Sequence, residues 1–292
     1  MSDAAVAQIK VWLDRCLTTE QMEWLDGQLD KIVAEPTPRN IQIAFGLVPR
    51  KLGKTDLGLS ESELQAALEV RPGWCPQYWS VDVAARVLIL VSAGTATNNF
   101  AEQFISLCRL ADVAEAVALY NGLPLYPEPA KLETQAGEGL RTNMRSVFEA
   151  IAHNNPFPRE QFDENRWNHM VLKALFVDSS LYPIQGVDDR ANPELARILS
   201  DYAHERWAAS RPVTPELWRC VGPFAEGALL QDLERVISEG GNLEKQAAAL
   251  ALRASPAPEA KDLLARIPAE AAAAAEGQIT WDSIGQAHAQ QA

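Results

Sequence analysis

Apolar residues recur along this chain at three- and four-residue intervals from end to end, the spacing that lines one face of an α-helix. The pattern predicts helices over 4–15, 19–34, 40–48, 60–70, 80–93, 98–109, 111–120, 130–153, 159–177, 193–209, 214–221, 227–239, 243–254, 257–266 and 279–288. Start signals agree. Thr18 with Gln21 and Ser60 with Glu63 are capping-box pairs, and Ser80 with Asp82 reads as another start. Asn192-Pro193-Glu194 and Thr214-Pro215-Glu216 each set a cap residue before a proline and an acid, which suits the positive end of a helix. No window sustains alternation of β-branched and polar residues, so no sheet is expected. Only 40–48 is ambiguous, because Ile41, Ile43 and Phe45 alternate; one short run cannot build a sheet alone.

The predicted fold class is all-α, an irregular multi-helix array that becomes α-solenoid or HEAT-like toward the C-terminus. That last feature rests on the alanine-rich run Gln246–Leu252, then Ser255-Pro256, then Ala260, Leu263 and Leu264, which reads as two short antiparallel helices. The boundaries expected are a helical core domain over 1–225 and C-terminal HEAT-like hairpins over 226–292, packed on it or continuous with it. Residues 267–276 read as helix or loose linker, and the tail after Ile284 as frayed.

Composition narrows the function. Hydrophobic residues are 47% of the 292 and charged residues 22%, enough for a sizeable core. The net charge of −13 opposes phosphate backbones and anionic lipid, so neither nucleic acid nor a membrane surface is an expected partner. The apolar run Val87–Val91 is far shorter than the ~20 residues that cross a bilayer. Cys16, Cys75, Cys108 and Cys220 stand too far apart for metal-ligand spacing and read as reduced thiols, so a cytoplasmic location is expected. There is no phosphate-cradling loop, dinucleotide fingerprint or nucleophile elbow. No catalytic residue, metal or cofactor is assigned.

Polar residues of functional type concentrate between Gly139 and Arg219. On the helix predicted over 130–153, Leu140, Met144, Val147, Phe148 and Ile151 form an apolar stripe, while Arg141, Arg145, Glu149 and His153 stand four apart on another face. Those charges are either a solvated ion-paired face or, with two guanidiniums one turn apart, a grip for a carboxylate or phosphate. The next helix carries Trp167, Asn168, His169, Met170 and Lys173. It reads as apolar nearly all round and therefore buried, so Asn168, His169 and Lys173 would need hydrogen-bond partners or a polar cavity, which makes this helix the expected wall of a pocket. Asp201, His204 and Glu205 share a face of a third helix, next to Arg206. His153, His169 and His204 could meet Glu149 or Asp201 as a metal site, though lone histidines on separate helices are more often core residues. The 14 residues from Asp178 to Ala191 form a long connection that could close over a ligand or dock a partner. Trp74, Tyr78 and Trp79 could stack on a flat ligand or plug the core. The candidate ligand-binding set is Arg141, Asn143, Arg145, Glu149, Asn168, Lys173, Asp201, His204 and Arg206, on three helices expected to enclose one shared space.

Several stretches carry a family resemblance: Val48–Gly53 extended to Asp56, Arg71–Trp74, Ala118–Leu125, Glu138–Met144 with Val147–Ala150, and Trp167-Asn168 with Met170–Phe176. Arg190–Asn192, Asp201–Trp207, Glu216–Arg219 with Val221–Phe224, and Ile279–Trp281 complete the series. In these the chain resembles the EboA family of bacterial metabolite traffic proteins. His169 stands where the family pattern places glutamine, which argues against a catalytic or metal role for it. The resemblance implies an operon-encoded system that moves secondary-metabolite precursors out of the cytoplasm. Its companions are prenyltransferase-like, metal-dependent-hydrolase-like, dehydroquinate-synthase-like and sugar-isomerase-like. The resemblance names a process, not a reaction. The leading expectation is a non-enzymatic component that binds a small metabolite, anionic or prenylated, or docks its companion enzymes. The alternatives are a metal-dependent enzyme acting on a prenylated or polyol-type metabolite, for which the clustered aspartates of terpenoid-synthase-like catalysts are missing, and a purely structural scaffold.

Overall fold

The computed structural model describes residues 2–291, and among them there is no strand; Asp56 and Ser80 form one isolated bridge. The chain is all-α, in two compact units, residues 1–163 and 164–292. Compactness divides it at 163/164.

The first unit contains α1 (Ser2–Cys16), α2 (Thr19–Ala34), α3 (Pro38–Leu52), α4 (Glu61–Val70), α5 (Val81–Ala96), α6 (Phe100–Leu110), α7 (Val113–Asn121), α8 (Pro129–Leu140), α9 (Arg145–Ala152) and α10 (Phe157–Gln161). Both predicted capping boxes form: the Gln21 N–H donates to Thr18 Oγ1 at 3.3 Å and the Ser60 N–H to Glu63 Oε2 at 2.7 Å. Ser80 instead donates its hydroxyl to Asp82 Oδ1 at 2.6 Å and makes no cap bond. The ambiguous stretch 40–48 is helical, because Ile41, Ala44, Phe45 and Val48 bury one helical stripe.

The unit is built around α5. Every residue from Val81 to Ala93 is buried, and α1, α2, α3 and α7 pack around it. Two charges sit inside that shell. Arg86 Nη1 donates to Asp82 Oδ2 at 2.8 Å, one turn away, and Arg86 Nε to the Phe45 carbonyl at 3.3 Å. Each charge offsets the burial cost of the other, which neither could bear alone. Trp12, Trp74 and Trp79 stack as a core cluster with centroids 5.2 and 5.8 Å apart, while Tyr78 is 74% exposed. The aromatic run beside Pro72-Gly73 therefore plugs the core rather than presenting a stacking platform.

The second unit contains α11 (Glu164–Phe176), α12 (Pro193–Ala208), α13 (Trp218–Val221), α14 (Gly227–Glu239), α15 (Asn242–Ala254), α16 (Ala260–Leu264), α17 (Pro268–Ala275) and α18 (Trp281–Ala289), with 3₁₀ turns at Pro215–Leu217 and Gly222–Phe224. Asn192 caps α12 as predicted, through the Leu195 N–H at 2.8 Å. Thr214 makes no cap bond and opens a 3₁₀ turn instead. The tail expected to fray stays helical to Ala289, started by a Thr280–Ser283 capping box. α15 is the hub, touching α13, α14, α16, α17, α18 and both 3₁₀ turns. Its buried alanines permit this: a Cβ on Gly222 would stand 2.7 Å from the Ala251 Cα, so the two backbones pass in direct contact. Solenoid repeats touch only their neighbours, so packing around one hub does not establish the expected HEAT-like stacking.

Candidate functional site

The helix expected over 130–153 is interrupted. α8 ends at Leu140, and the Thr142 hydroxyl accepts the Met144 N–H at 3.1 Å, a local turn that competes with helix continuation. Arg141 and Arg145 therefore do not share one helical face. Arg141 lies 3.6 Å from Glu138 with its side chain 79% exposed, and Asn143 is exposed. Arg145 pairs with Glu149 at 2.7 Å along α9. Met144 is 53% exposed, so it leaves the apolar stripe, which Leu140, Val147, Phe148 and Ile151 keep. Gly139 is fixed by packing, since a Cβ there would meet the Tyr120 ring at 2.5 Å.

In the second unit, α11 is amphipathic rather than apolar all round. Trp167, Met170, Val171 and Ala174 are buried, whereas His169 is exposed and Phe176 is 73% exposed. Asn168 is buried as expected, and its amide has a structural partner. It exchanges hydrogen bonds with Asn192 at 2.8 and 3.2 Å, and Asn192 in turn caps α12. The Arg190 guanidinium lies 4.6 Å above the Trp167 ring. Partial burial lowers the Lys173 ammonium below its ordinary pKa.

Along α12, Asp201 pairs with Arg197 at 2.7 Å, and Arg206 Nε donates to the Pro212 carbonyl at 3.0 Å. His204 meets a residue the sequence reading missed. Its Nε2 is 2.6 Å from Oδ1 of the buried Asp232 on α14, whose Oδ2 accepts the Ser200 hydroxyl at 2.6 Å. Arg235, also on α14, lies 4.3 Å above the Trp207 ring, so three contacts clip α14 to α12. Asp232 stands three residues after Leu229 and four before Val236, within the apolar stripe of α14, which is the signal in the sequence for a buried carboxylate.

The long connection after α11 is anchored, not loose. Leu181, Ile184 and Val187 are buried. The Leu181 and Tyr182 N–H groups donate to the two oxygens of Glu216 at 3.1 and 2.6 Å. Arg219 grips both oxygens of Asp188 at 2.6 and 2.7 Å and reaches Asp282 of α18 at 3.5 Å. Glu216 is 1% exposed, and burial pushes its carboxyl up to about 6, against the two N–H bonds and Arg219, which act the other way. In sequence, Glu216 looked like an ordinary first-turn acid.

Thus Arg141, Asn143, Arg145 and Glu149 belong to the first unit, and Asn168, Lys173, Asp201, His204 and Arg206 to the second. Among the described residues no three His, Cys, Asp or Glu side chains are grouped to hold a metal ion. None of the nine lines either of two clefts present within single units. One, of about 470 Å³, lies between α14 and α16, with Glu226, Glu234, Glu259 and Asp262 among its walls. Glu234 there is already paired with Arg266 at 2.5 Å. The other, of about 270 Å³, lies where α3, α6 and α7 meet and is lined by Gln42, Phe45, Leu107, Leu110, Ala111, Glu115 and Leu119. Phe45, Leu107 and Leu119 form a buried apolar floor, and Leu110 stands 68% exposed at the rim. No described helix is long and apolar enough to cross a membrane.

A family model described as metabolite traffic protein EboA matches residues 5–222, which takes in the first unit from Ala5 onward and the second as far as Gly222. The match stops short of Ile279–Trp281. No curated protein and no solved structure matches the chain.

Proposed function

We propose a function from the premise that this chain belongs to the EboA family, the metabolite traffic proteins: it is a non-enzymatic component of such a system and acts by holding a small metabolite. The observation that carries this reading is the groove between α3, α6 and α7. It lies inside the family-matched stretch, has an apolar floor, and at about 270 Å³ falls just below the range of roughly 300–1,000 Å³ usual for ligand pockets, which suits a small ligand. Secondary-metabolite export, with prenyltransferase-like, hydrolase-like and dehydroquinate-synthase-like companions, is the setting that the family resemblance supports for it.

Native mass spectrometry of the protein from its own host tests the reading. The wild-type chain is expected to carry a small molecule, and the Ala111→Trp variant, whose indole fills the groove from its rim, to lose it. A wild-type chain that arrives empty, or a variant that keeps the molecule, refutes the assignment.

A second reading is docking of companion enzymes, and the exposure of the candidate polar residues favours it. Arg145 and Asp201 are more than half exposed, and large apolar side chains stand in water nearby in sequence, Met144 beside Arg145 and Phe176 one turn after Lys173. In this reading Arg141, Asn143, Arg145, Glu149, Lys173, Asp201, His204 and Arg206 form partner contacts, while Asn168 holds the start of α12. Phe176→Asp should then abolish co-purification with a co-expressed prenyltransferase-like companion while leaving the melting temperature unchanged. Retained co-purification excludes that surface.

A further inference from the structure

The chemistry of the groove goes further and, granted the small-molecule reading above, specifies the class of ligand. Its floor of Phe45, Leu107 and Leu119 offers no hydrogen bond from side chains, so the buried portion of an occupant must be hydrocarbon. The volume of about 270 Å³ admits one aliphatic chain on the order of ten carbons. It is too small for the face of a partner helix, whose side chains repeat over several turns.

Two polar side chains fix the other end. Glu115 closes the capping box of α7: its Oε2 accepts the Asp112 N–H at 3.2 Å, while Asp112 Oδ1 accepts the Glu115 N–H at 2.8 Å. Those bonds hold the carboxylate at the rim, with Oε1 uncommitted. Gln42, on α3 across the groove, makes no side-chain hydrogen bond among the described residues, so its carbonyl is a second acceptor. No cation lines the groove, and the chain carries a net charge of −13. An anionic head group would meet the fixed negative charge of Glu115 with no cationic side chain to offset it, whereas an ammonium or hydroxyl would find acceptors.

We propose that the groove between α3, α6 and α7 binds a small aliphatic molecule by its hydrocarbon end and recognises an amine or hydroxyl head group through Glu115 and Gln42. Glu115 is the specificity-determining residue, and it rejects carboxylates and phosphates of the same chain length.

Calorimetric titration of the full chain with octylamine, 1-octanol and octanoate tests this. Wild-type protein is expected to bind the amine and the alcohol saturably and octanoate about tenfold more weakly or worse, the change from attraction to repulsion at contact distance. Glu115→Gln, which keeps a carbonyl for the Asp112 N–H, should remove most of that discrimination without losing the alcohol. Ala111→Trp should abolish binding of all three. Equal binding of octanoate and octylamine by the wild type overturns the head-group assignment and leaves the groove reading standing. Failure of all three to bind, or equal binding by wild type and Ala111→Trp, overturns the groove itself.

Discussion

Glu216→Gln tests the balance of forces at the most deeply buried carboxylate of the second unit. Opposing effects act on that side chain. Burial at 1% exposure penalises the charge, whereas the Leu181 and Tyr182 N–H bonds and the nearby Arg219 favour it; Asp282 opposes it. Burial wins, raising the carboxyl from 4.5 to about 6. The folded chain thus binds this proton more tightly than the unfolded chain. The stabilisation is fully present below about pH 4.5 and is lost as pH rises through 6. A rise of that size corresponds to about 2 kcal/mol. Glutamine keeps one acceptor for the loop and cannot ionise, so the variant lacks this pH dependence. Urea unfolding of both proteins between pH 4 and 7.5 should show wild type losing about 2 kcal/mol relative to the variant as pH rises. Carbon-13 NMR of glutamate-labelled protein should show one carboxyl titrating near 6 that disappears in the variant. A stability difference that stays flat with pH would mean the backbone donors cancel the effect of burial, one that grows in favour of wild type at high pH would mean they outweigh it, and either would refute the reasoning.

Two further expectations concern the cores. Asp82→Ala leaves the Arg86 guanidinium, 2% exposed, without its anion and should cost about 3–5 kcal/mol, read as a fall in melting temperature; Asp82→Ala with Arg86→Met should recover most of it. Gly222→Ala places a Cβ 2.7–2.8 Å from the Ala251 backbone and should destabilise by about 1–3 kcal/mol, whereas Gly27→Ala, with open space inside α2, should stabilise by about 0.5–1 kcal/mol. Equal melting temperatures for the two glycine variants would contradict the close passage of α15 over Gly222.

Much of the fold was legible because helix formation is set locally. Thr18, Ser60 and Asn192 carry their capping chemistry within three residues, and the caps form as read. The helix predicted over 80–93 forms as α5, and the apolar run Val87–Val91 lies in its fully buried stretch. Errors arose where a local competitor or a distant packing partner decided the outcome. The Thr142 turn split the 130–153 helix, and α18 stayed helical where fraying was expected. For the candidate site, the sequence identified the polar residues but not their partners. Asn168 was read as buried and in need of a hydrogen-bond partner or a polar cavity, and the partner is Asn192, 24 residues away.

The sequence alone determined what depends on neighbours along the chain: an all-helical fold, its caps, the apolar stripe of each helix, an acidic surface, and the family. Those properties follow from spacing, propensity and charge, which need no knowledge of what lies across the core. Only the tertiary structure decided which stripes meet. It closed Glu216 beneath a loop 34 residues upstream, tied Asp232 to His204, and brought Gln42 and Glu115 to opposite sides of one apolar groove. Burial and the company of distant side chains set the pKa of a carboxylate and the shape of a cavity, and neither is a property of any local stretch of residues.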